Sequence, residues 1–287
     1  MPWPLDDALA AHERGDYATA FRLYRALADQ GNAVAQYNCG FMSANGQGVK
    51  QNHAEAVKWY RLAADQGNAV AQVNLGDGVK QYPAEAVKWY RLAADQGNAE
   101  AQNNLGIRYA KGRPLEGVKR DDVQAMKWFR LAADQGDASA QNNLGILFAK
   151  HRGVFTATPQ NYVQETYVQA VKWYRLAADQ GNADAQSNLG VMYYTGQGVP
   201  QDHVQAVKWF RLAADQGLAS AQFFLGLMYA KGEGVPQNYV QAHMWLNLAG
   251  AGGDTLAPKN RDIASKKMTP AQIAEAQRLA AAWKPKQ

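Results

Sequence analysis

The phrase AVKWYRLAADQGNA occurs three times, at residues 56–69, 86–99 and 170–183. Near copies, AMKWFRLAADQGDA and AVKWFRLAADQGLA, stand at 125–138 and 206–219. An active site is assembled once in a chain, so a phrase written five times reads as a building unit. The glycines that close it are Gly31, Gly67, Gly97, Gly136, Gly181, Gly217 and Gly253, separated by 36, 30, 39, 45, 36 and 36 residues. Self-similarity with a period of about 20–50 residues is the signature of stacked repeats. The length differences fall at one place in the unit. AQVNLGDGVKQYP is six residues short there, Arg113–Gly117 adds residues, and HRGVFTATPQNYVQETYVQ lengthens the unit that ends at Gly181. A point that tolerates insertion is a loop.

Each unit spells two helices. In NADAQSNLGVMYYTG, Ala185, Leu189, Met192 and Tyr193 recur three or four residues apart, one face of a helix. Gly181 can end the preceding helix in the left-handed conformation and Asn182 can cap the next. The pair recurs at Gly31-Asn32, Gly67-Asn68 and Gly97-Asn98, with Gly136-Asp137 equivalent, whereas Gly217-Leu218 loses the cap. In DHVQAVKWFRLAADQG, Asp202 is the expected N-cap, as are Asn52, Asp121, Thr166 and Asn238 at matching positions. Ala206, Trp209, Ala213 and, one residue off, Leu212 form its expected apolar stripe. The linker GQGVPQ is a turn.

Small residues (Ala206, Ala213 and Gly190) let the helices approach, and the tryptophan is expected to fill the space between them. A buried Trp hides roughly 150–250 Å². At about 25 cal/mol per Å² that is an upper bound of about 4–6 kcal/mol. One helix pair cannot cover its own apolar side, so stacking on the next pair explains why the phrase recurs. The ends differ from the middle. Residues 1–31 carry Leu23 where the other units have tryptophan and read as an opening helix pair. KMTPAQIAEAQRLAAAW offers Thr269 as cap, Pro270 at the first helical position and Gln272 for a capping box. Ile273, Ala276, Leu279 and Trp283 share its apolar face, so it reads as a closing helix.

The 287 residues are 47% apolar and 19% charged, enough to fill a core and against global disorder. No run of 18 apolar residues occurs, so no membrane insertion is expected. Cys39, the one cysteine, excludes an internal disulfide and is not a metal site by itself. The start, MPWPLDDALAAHERGD, lacks the pattern of a signal peptide. The expected location is the cytoplasm for the chain as written, or the periplasm or exterior if an export signal has been removed.

The residues resemble the Sel1-like repeat family, relatives of tetratricopeptide repeats. The match rests on AxAQxNLGxMYxxGxGV followed by AxxWxxxAAxxG, as in Ala183–Val199 and Ala206–Gly217, and runs over roughly residues 16–253. The resemblance implies an all-α fold: a right-handed α-α superhelical solenoid of about six to seven helix-pair repeats with a C-terminal capping helix. The expected division is a solenoid over 1–253 and a capping helical segment over 254–287. It also implies a scaffold or adaptor for other proteins. A cysteine-rich branch of the family has been associated with penicillin binding or β-lactamase activity. This chain lacks that branch's paired cysteines, and the activity is not carried over.

In related solenoids the first helix of each unit lines the concave groove. The positions two, five and nine places into that helix vary between units while their neighbours stay fixed. They include Val34, Val70, Val73, Asp77, Ile107 and Leu227. The expected partner-binding set is Tyr37, Phe41, Glu100, Asn103, Asn142, Asp184, Ser187, Tyr194, Ser220 and Phe223. The alternative is that these positions vary because nothing depends on them. Gln36, Gln72, Gln102, Gln141, Gln186 and Gln222 form an invariant ladder. Asn38, Asn74, Asn104, Asn143 and Asn188 form another. Identical residues suit identical surroundings, so a structural role is favoured over gripping a peptide. Lys58/Arg61, Lys88/Arg91, Lys127/Arg130, Lys172/Arg175 and Lys208/Arg211 make a basic stripe. Asp65, Asp95, Asp134, Asp179 and Asp215, four residues after each arginine, can pair with it. A solvated face is favoured over an anion-binding one, and no nucleic acid is expected.

No catalytic or metal site is expected. His53 and His203 occupy the same place in separate units, and the remaining histidines, His12, His151 and His243, join no nucleophile or ligand cluster. The GxG turns lack the strand and the lysine-serine of a phosphate cradle. No cofactor is implied. The reading is a non-catalytic, monomeric scaffold that binds a protein or peptide segment. The alternative is a cell-wall protein that binds peptidoglycan or glycan, or weakly hydrolyses it.

Overall fold

The computed structural model describes residues 4–78, 83–112, 118–150 and 161–286. The loop differences at 79–82 and 113–117, and residues 151–160 of the lengthened segment 151–169, lie outside this set. The chain divides into two compact units, Met1–Asp137 and Ala138–Gln287. The first holds α1 (Pro4–Glu13), α2 (Tyr17–Ala28), α3 (Ala33–Asn45), α4 (His53–Asp65), α5 (Ala69–Gly78), α6 (Pro83–Asp95), α7 (Ala99–Lys111) and α8 (Asp122–Asp134). The second holds α9 (Ala138–Lys150), α10 (Asn161–Asp179), α11 (Ala183–Thr195), α12 (His203–Asp215), α13 (Ala219–Lys231), α14 (Tyr239–Ala251), α15 (Ala257–Ser265) and α16 (Pro270–Ala282). Within each unit the two helices of a repeat pack on each other and on the next pair, and α15 and α16 both pack on α14. This is the expected all-α repeat solenoid, with an opening pair α1/α2.

Local chemistry sets the helix ends. Asn32, Asn68, Asn98 and Asn182 each accept a bond at 2.9 Å from the backbone N–H three residues on. Leu218, as expected, provides no side-chain cap. Asn52, Asp121, Asp202 and Asn238 cap the second helices. Thr166 does not. The inserted segment extends α10 back to Asn161, which leaves Thr166 buried inside the helix. Thr269 and Gln272 form the full capping box of α16.

The second helices are buried on two sides. Trp59, Trp89, Trp128, Trp173 and Trp209 are each at most 7% exposed. Trp59 packs with Tyr24 and Ala28 of α2 and with Ala35 and Cys39 of α3. Trp128 joins the layer of α6 and α7, and Trp209 that of α10 and α11. The residue after each tryptophan faces the other way: Tyr60 belongs to the layer built on α5 and α6, and Phe210 to that of α13 and α14. The aromatic over Gly190 is therefore Phe210, not Trp209. A Cβ on Gly190 would lie 2.8 Å from the Phe210 ring, and Gly40, Gly76, Gly106 and Gly145 stand equally close to Tyr60, Tyr90, Phe129 and Tyr174. Leu212 is not in the stripe; it is solvent-exposed, and Phe210 and Ala214 take that place. The GxG turn also docks: at φ +72°, Gly198 lies so close to the Tyr167 carbonyl of α10 that a Cβ would be 2.4 Å from it. Glycine alone adopts that backbone region freely.

The glutamine ladder is structural. Gln72 donates to the Ala64 carbonyl of the preceding hairpin at 3.1 Å and accepts from Gln96, at the end of the second helix of its own hairpin, at 2.9 Å. Gln36 and Gln66, Gln102 and Gln135, and Gln186 and Gln216 repeat the arrangement. Each buried carboxamide thus ties the preceding hairpin to both helices of its own, and leaving either bond unmade would cost the desolvation of a buried polar group. In the asparagine series, Asn38 and Asn74 donate back to the carbonyls of Val34 and Val70.

Overfilling the Gly190 site should be costly only while the ring is there. Gly190→Ala is expected to destabilise by about 1–3 kcal/mol in urea unfolding. In a Phe210→Ala background the same change should become neutral or favourable, because alanine is the better helix former by about 1 kcal/mol.

Candidate interaction surface

In the first unit the variable positions of the first helices converge. Tyr37 is half-buried on α3, its ring centre 5.9 Å from Tyr60 and 6.4 Å from half-buried Phe41. Burial and then the charge of Glu100, two hairpins along on α7, push the Tyr37 phenol above its ordinary value. Glu100 is exposed, yet its carboxyl is held above the ordinary 4.5 by partial burial and by the charges of Asp77 and Asp137. Asp77 accepts a 2.5 Å bond from the Tyr90 hydroxyl, and the Arg108 guanidinium lies 5.5 Å from the Tyr90 ring centre. Tyr37, Asp77 and Glu100, from α3, α5 and α7, therefore share one surface that is aromatic at one end and acidic at the other. Asn103 is buried beside it. Asp77 stood among the variable positions, but nothing in the pattern marked its bond to the core tyrosine.

In the second unit, Asp184 and Ser220 are exposed at the starts of α11 and α13. Asn142 and Ser187 are buried, and Asn142 accepts a 2.9 Å bond from Asn188 of the next hairpin. Tyr194 stacks on His203 at 5.2 Å between ring centres and accepts from Lys231 at 3.3 Å. Phe223 is half-buried against Leu246, Ala249 and Ala257, edge-on to Phe224. Of the ten expected residues, Glu100, Asp184 and Ser220 are the most open, and the half-buried aromatics double as packing groups.

The basic stripe is organised differently from the sequence reading. Among the described residues the Arg–Asp register appears at Arg25–Asp29. Arg61 instead bonds Glu85 of α6 at 2.6 Å. Arg91, Arg175 and Arg211 donate to the hydroxyls of Tyr109, Tyr193 and Tyr229 on the following first helix. The Arg91 and Arg211 guanidinium groups also lie 5.9 Å from the rings of Trp128 and Trp245. Lys88, Lys127, Lys172 and Lys208 cover their own tryptophans at 5.5–5.9 Å. Partners one repeat away win because stacking brings a flat aromatic face under the guanidinium, where the cation gains from the ring quadrupole. Aromatic groups do interleave with the stripe, but as buried rings beneath it.

Nothing in the described residues assembles a nucleophile and base, and no group of three His, Cys, Asp or Glu side chains is placed to hold a metal. Cys39 is buried and its thiol is pushed up to about 12, which keeps it protonated and unreactive. His53 is exposed at the start of α4. His243 is buried in α14, and desolvation holds its pKa below the ordinary range. Among the described residues no helix is long and apolar enough to cross a membrane.

Stacked helical hairpins that carry their variation on one helix of each pair define a repeat scaffold. The Sel1 repeat model matches seven segments: residues 11–32, 33–68, 69–98, 99–137, 138–182, 183–218 and 219–254. The chain belongs to the Sel1 repeat family. Among solved structures it is similar to c5321, a protective antigen of uropathogenic Escherichia coli strains displaying an SLR fold, with 36% identity and a TM-score of 0.84. That similarity covers 93% of this chain and 56% of the antigen, so this chain spans little more than half of it. It is also similar to a Sel1 repeat protein from Oxalobacter formigenes, at 31% identity and a TM-score of 0.69, over 92% of this chain and 100% of that one. No curated protein matches the chain. The Sel1 repeat is generally a protein–protein interaction module, and its family generally comprises non-catalytic scaffolds.

The acidic surface has a measurable pH signature. A carboxyl whose folded pKa is raised binds its proton more tightly in the folded state. Its charged form therefore costs stability as pH rises through the folded pKa, and the cost vanishes below 4.5. Glu100→Gln is expected to raise the melting temperature at pH 7, with the difference closing near pH 4. Equal melting temperatures at both pH values would show that Glu100 feels no such environment.

Proposed function

We propose that this protein is a non-catalytic scaffold that holds a protein segment along the face formed by the first helices of its repeats. The contact set is Tyr37, Phe41, Glu100, Asn103, Asn142, Asp184, Ser187, Tyr194, Ser220 and Phe223. The observation that carries this reading is the convergence of Tyr37, Asp77 and Glu100 from three successive hairpins. An acidic charge held against its own preference, beside half-buried aromatic rings, is a surface that a basic or amphipathic segment would relieve. A preformed groove also spares the cost of ordering the receptor on binding.

Exposed members of the set give the cleanest test, since their replacement leaves the core intact. Glu100→Lys and Asp184→Lys proteins are compared with the unaltered protein in quantitative affinity capture, with circular dichroism as the folding control. Specific partners should fall by about tenfold or more with the helical signal unchanged. Capture that survives both changes and is abolished by Lys58→Glu with Lys208→Glu would move the site to the basic stripe.

A further inference from the structure

The last repeat carries a ready-made occupant on a surface that earlier repeats leave open. The leucine following the stripe arginine is exposed in α4, α6, α8, α10 and α12: Leu62, Leu92, Leu131, Leu176 and Leu212. Its equivalent in α14, Leu248, is partly buried, and Leu279 and Trp283 pack on the same cluster. Beyond α16 the chain runs on as Trp283-Lys284-Pro285-Lys286 across the end of α12. The Trp283 indole stands edge-on to Trp245, 6.2 Å between ring centres. Trp283 and Pro285 pass over Gly217, each 3.7 Å from where a Cβ would sit. Lys286 donates its backbone N–H to the Asp215 carbonyl at 2.8 Å and its ammonium to the Asp215 carboxylate at 2.7 Å.

The receptor for that tail is made of repeated residues. Asp215, Gly217, Trp245 and Leu248 correspond to Asp65, Gly67, Trp89 and Leu92 in the first unit. There the same cleft, between the end of α4 and the side of α6, is an open cavity of about 520 Å³ that these four residues line with Asp95 and Gln96. We propose that this cleft docks a partner segment with the chemistry of residues 269–286: an amphipathic helix that runs into aromatic–x–Pro–Lys. Charge favours it. Asp65 and Asp95 are exposed and make no ion pair among the described residues, and such a tail brings two lysines. Lys88, in place of Met244, lies over the Trp89 ring at 5.5 Å, but it is an exposed and flexible side chain. Two of the other equivalents have one of these groups engaged. Asp29 is paired with Arg25 at 3.0 Å, and the Gly181 carbonyl accepts from Gln216 at 3.0 Å. The cleft uses none of the ten residues of the proposed groove, so the two readings fail separately.

The test uses the full chain with ¹⁵N-labelled tryptophan, titrated with a synthetic peptide of sequence TPAQIAEAQRLAAAWKPK. The Trp89 indole resonance, assigned by its absence in Trp89→Phe, should shift saturably. Asp65→Lys, a surface change, should weaken that titration by about tenfold or more, and so should a peptide carrying glutamate in place of the last lysine. In peptide-free protein, Asp215→Lys should move the Trp283 resonance by releasing the tail. Three results would each overturn the proposal: a Trp89 resonance unmoved at about 2 mM peptide, an unchanged titration in Asp65→Lys, or a response confined to Trp245 and Trp283.

Discussion

Everything in this molecule depends on apolar surface that one helical hairpin cannot hide. The tryptophan of each second helix enters the layer before it, and the aromatic residue that follows enters the layer after it. Two adjacent side chains thus join three hairpins, and the glycine on the first helix lets the second ring come within van der Waals contact of the backbone. The glutamine ladder runs along the same joints and satisfies buried polar groups only when a neighbour is present. Burial and hydrogen bonding therefore demand the same stacking, which is the consistency expected of a sequence that specifies one arrangement.

Stacking also decides what the surface can offer. Residues needed at every joint are fixed, and what can vary is pushed to the first-helix face and to the hairpin ends. The cations of the second helix are drawn in as well. Guanidinium groups that would be free on an isolated helix lie on the tyrosines and tryptophans of the next repeat, so the stripe covers the joints instead of presenting bare charge. The acidic surface of the first unit is less satisfied: Asp77 and Glu100 lie near each other with little to offset them beyond a tyrosine hydroxyl and Arg108.

Much of this was legible in the sequence, for stated reasons. Asparagine and aspartate caps, the Thr269–Gln272 capping box and the missing cap at Leu218 depend on local geometry, and local geometry is what a sequence pattern encodes. The burial of the tryptophans followed from their recurrence. Most of the misreadings share one cause: the partner lay in another repeat. A helix buried on two sides has no single stripe, so three-and-four spacing could not choose between Trp209 and Phe210 or expel Leu212. Thr166 fitted the cap position by alignment, but the inserted residues continued the helix through it. Arg91 and Arg211 had an aspartate four residues on and found an aromatic ring one repeat away. At the candidate surface, variation pointed to positions, but not to which of them were buried; Asn103, Asn142 and Ser187 are, while Glu100 and Asp184 are not.

The claim that no hairpin stands alone is open to one direct measurement. The segment 182–218 contains a complete repeat with its caps, its glycine, its tryptophan and its phenylalanine. As an isolated peptide it should give a largely unordered circular dichroism spectrum and melt without cooperativity, while the whole chain is helical and melts in a sharp transition. A cooperatively folded, helical spectrum from that single segment would contradict the account, because the hairpin would then be hiding its apolar flank without a neighbour.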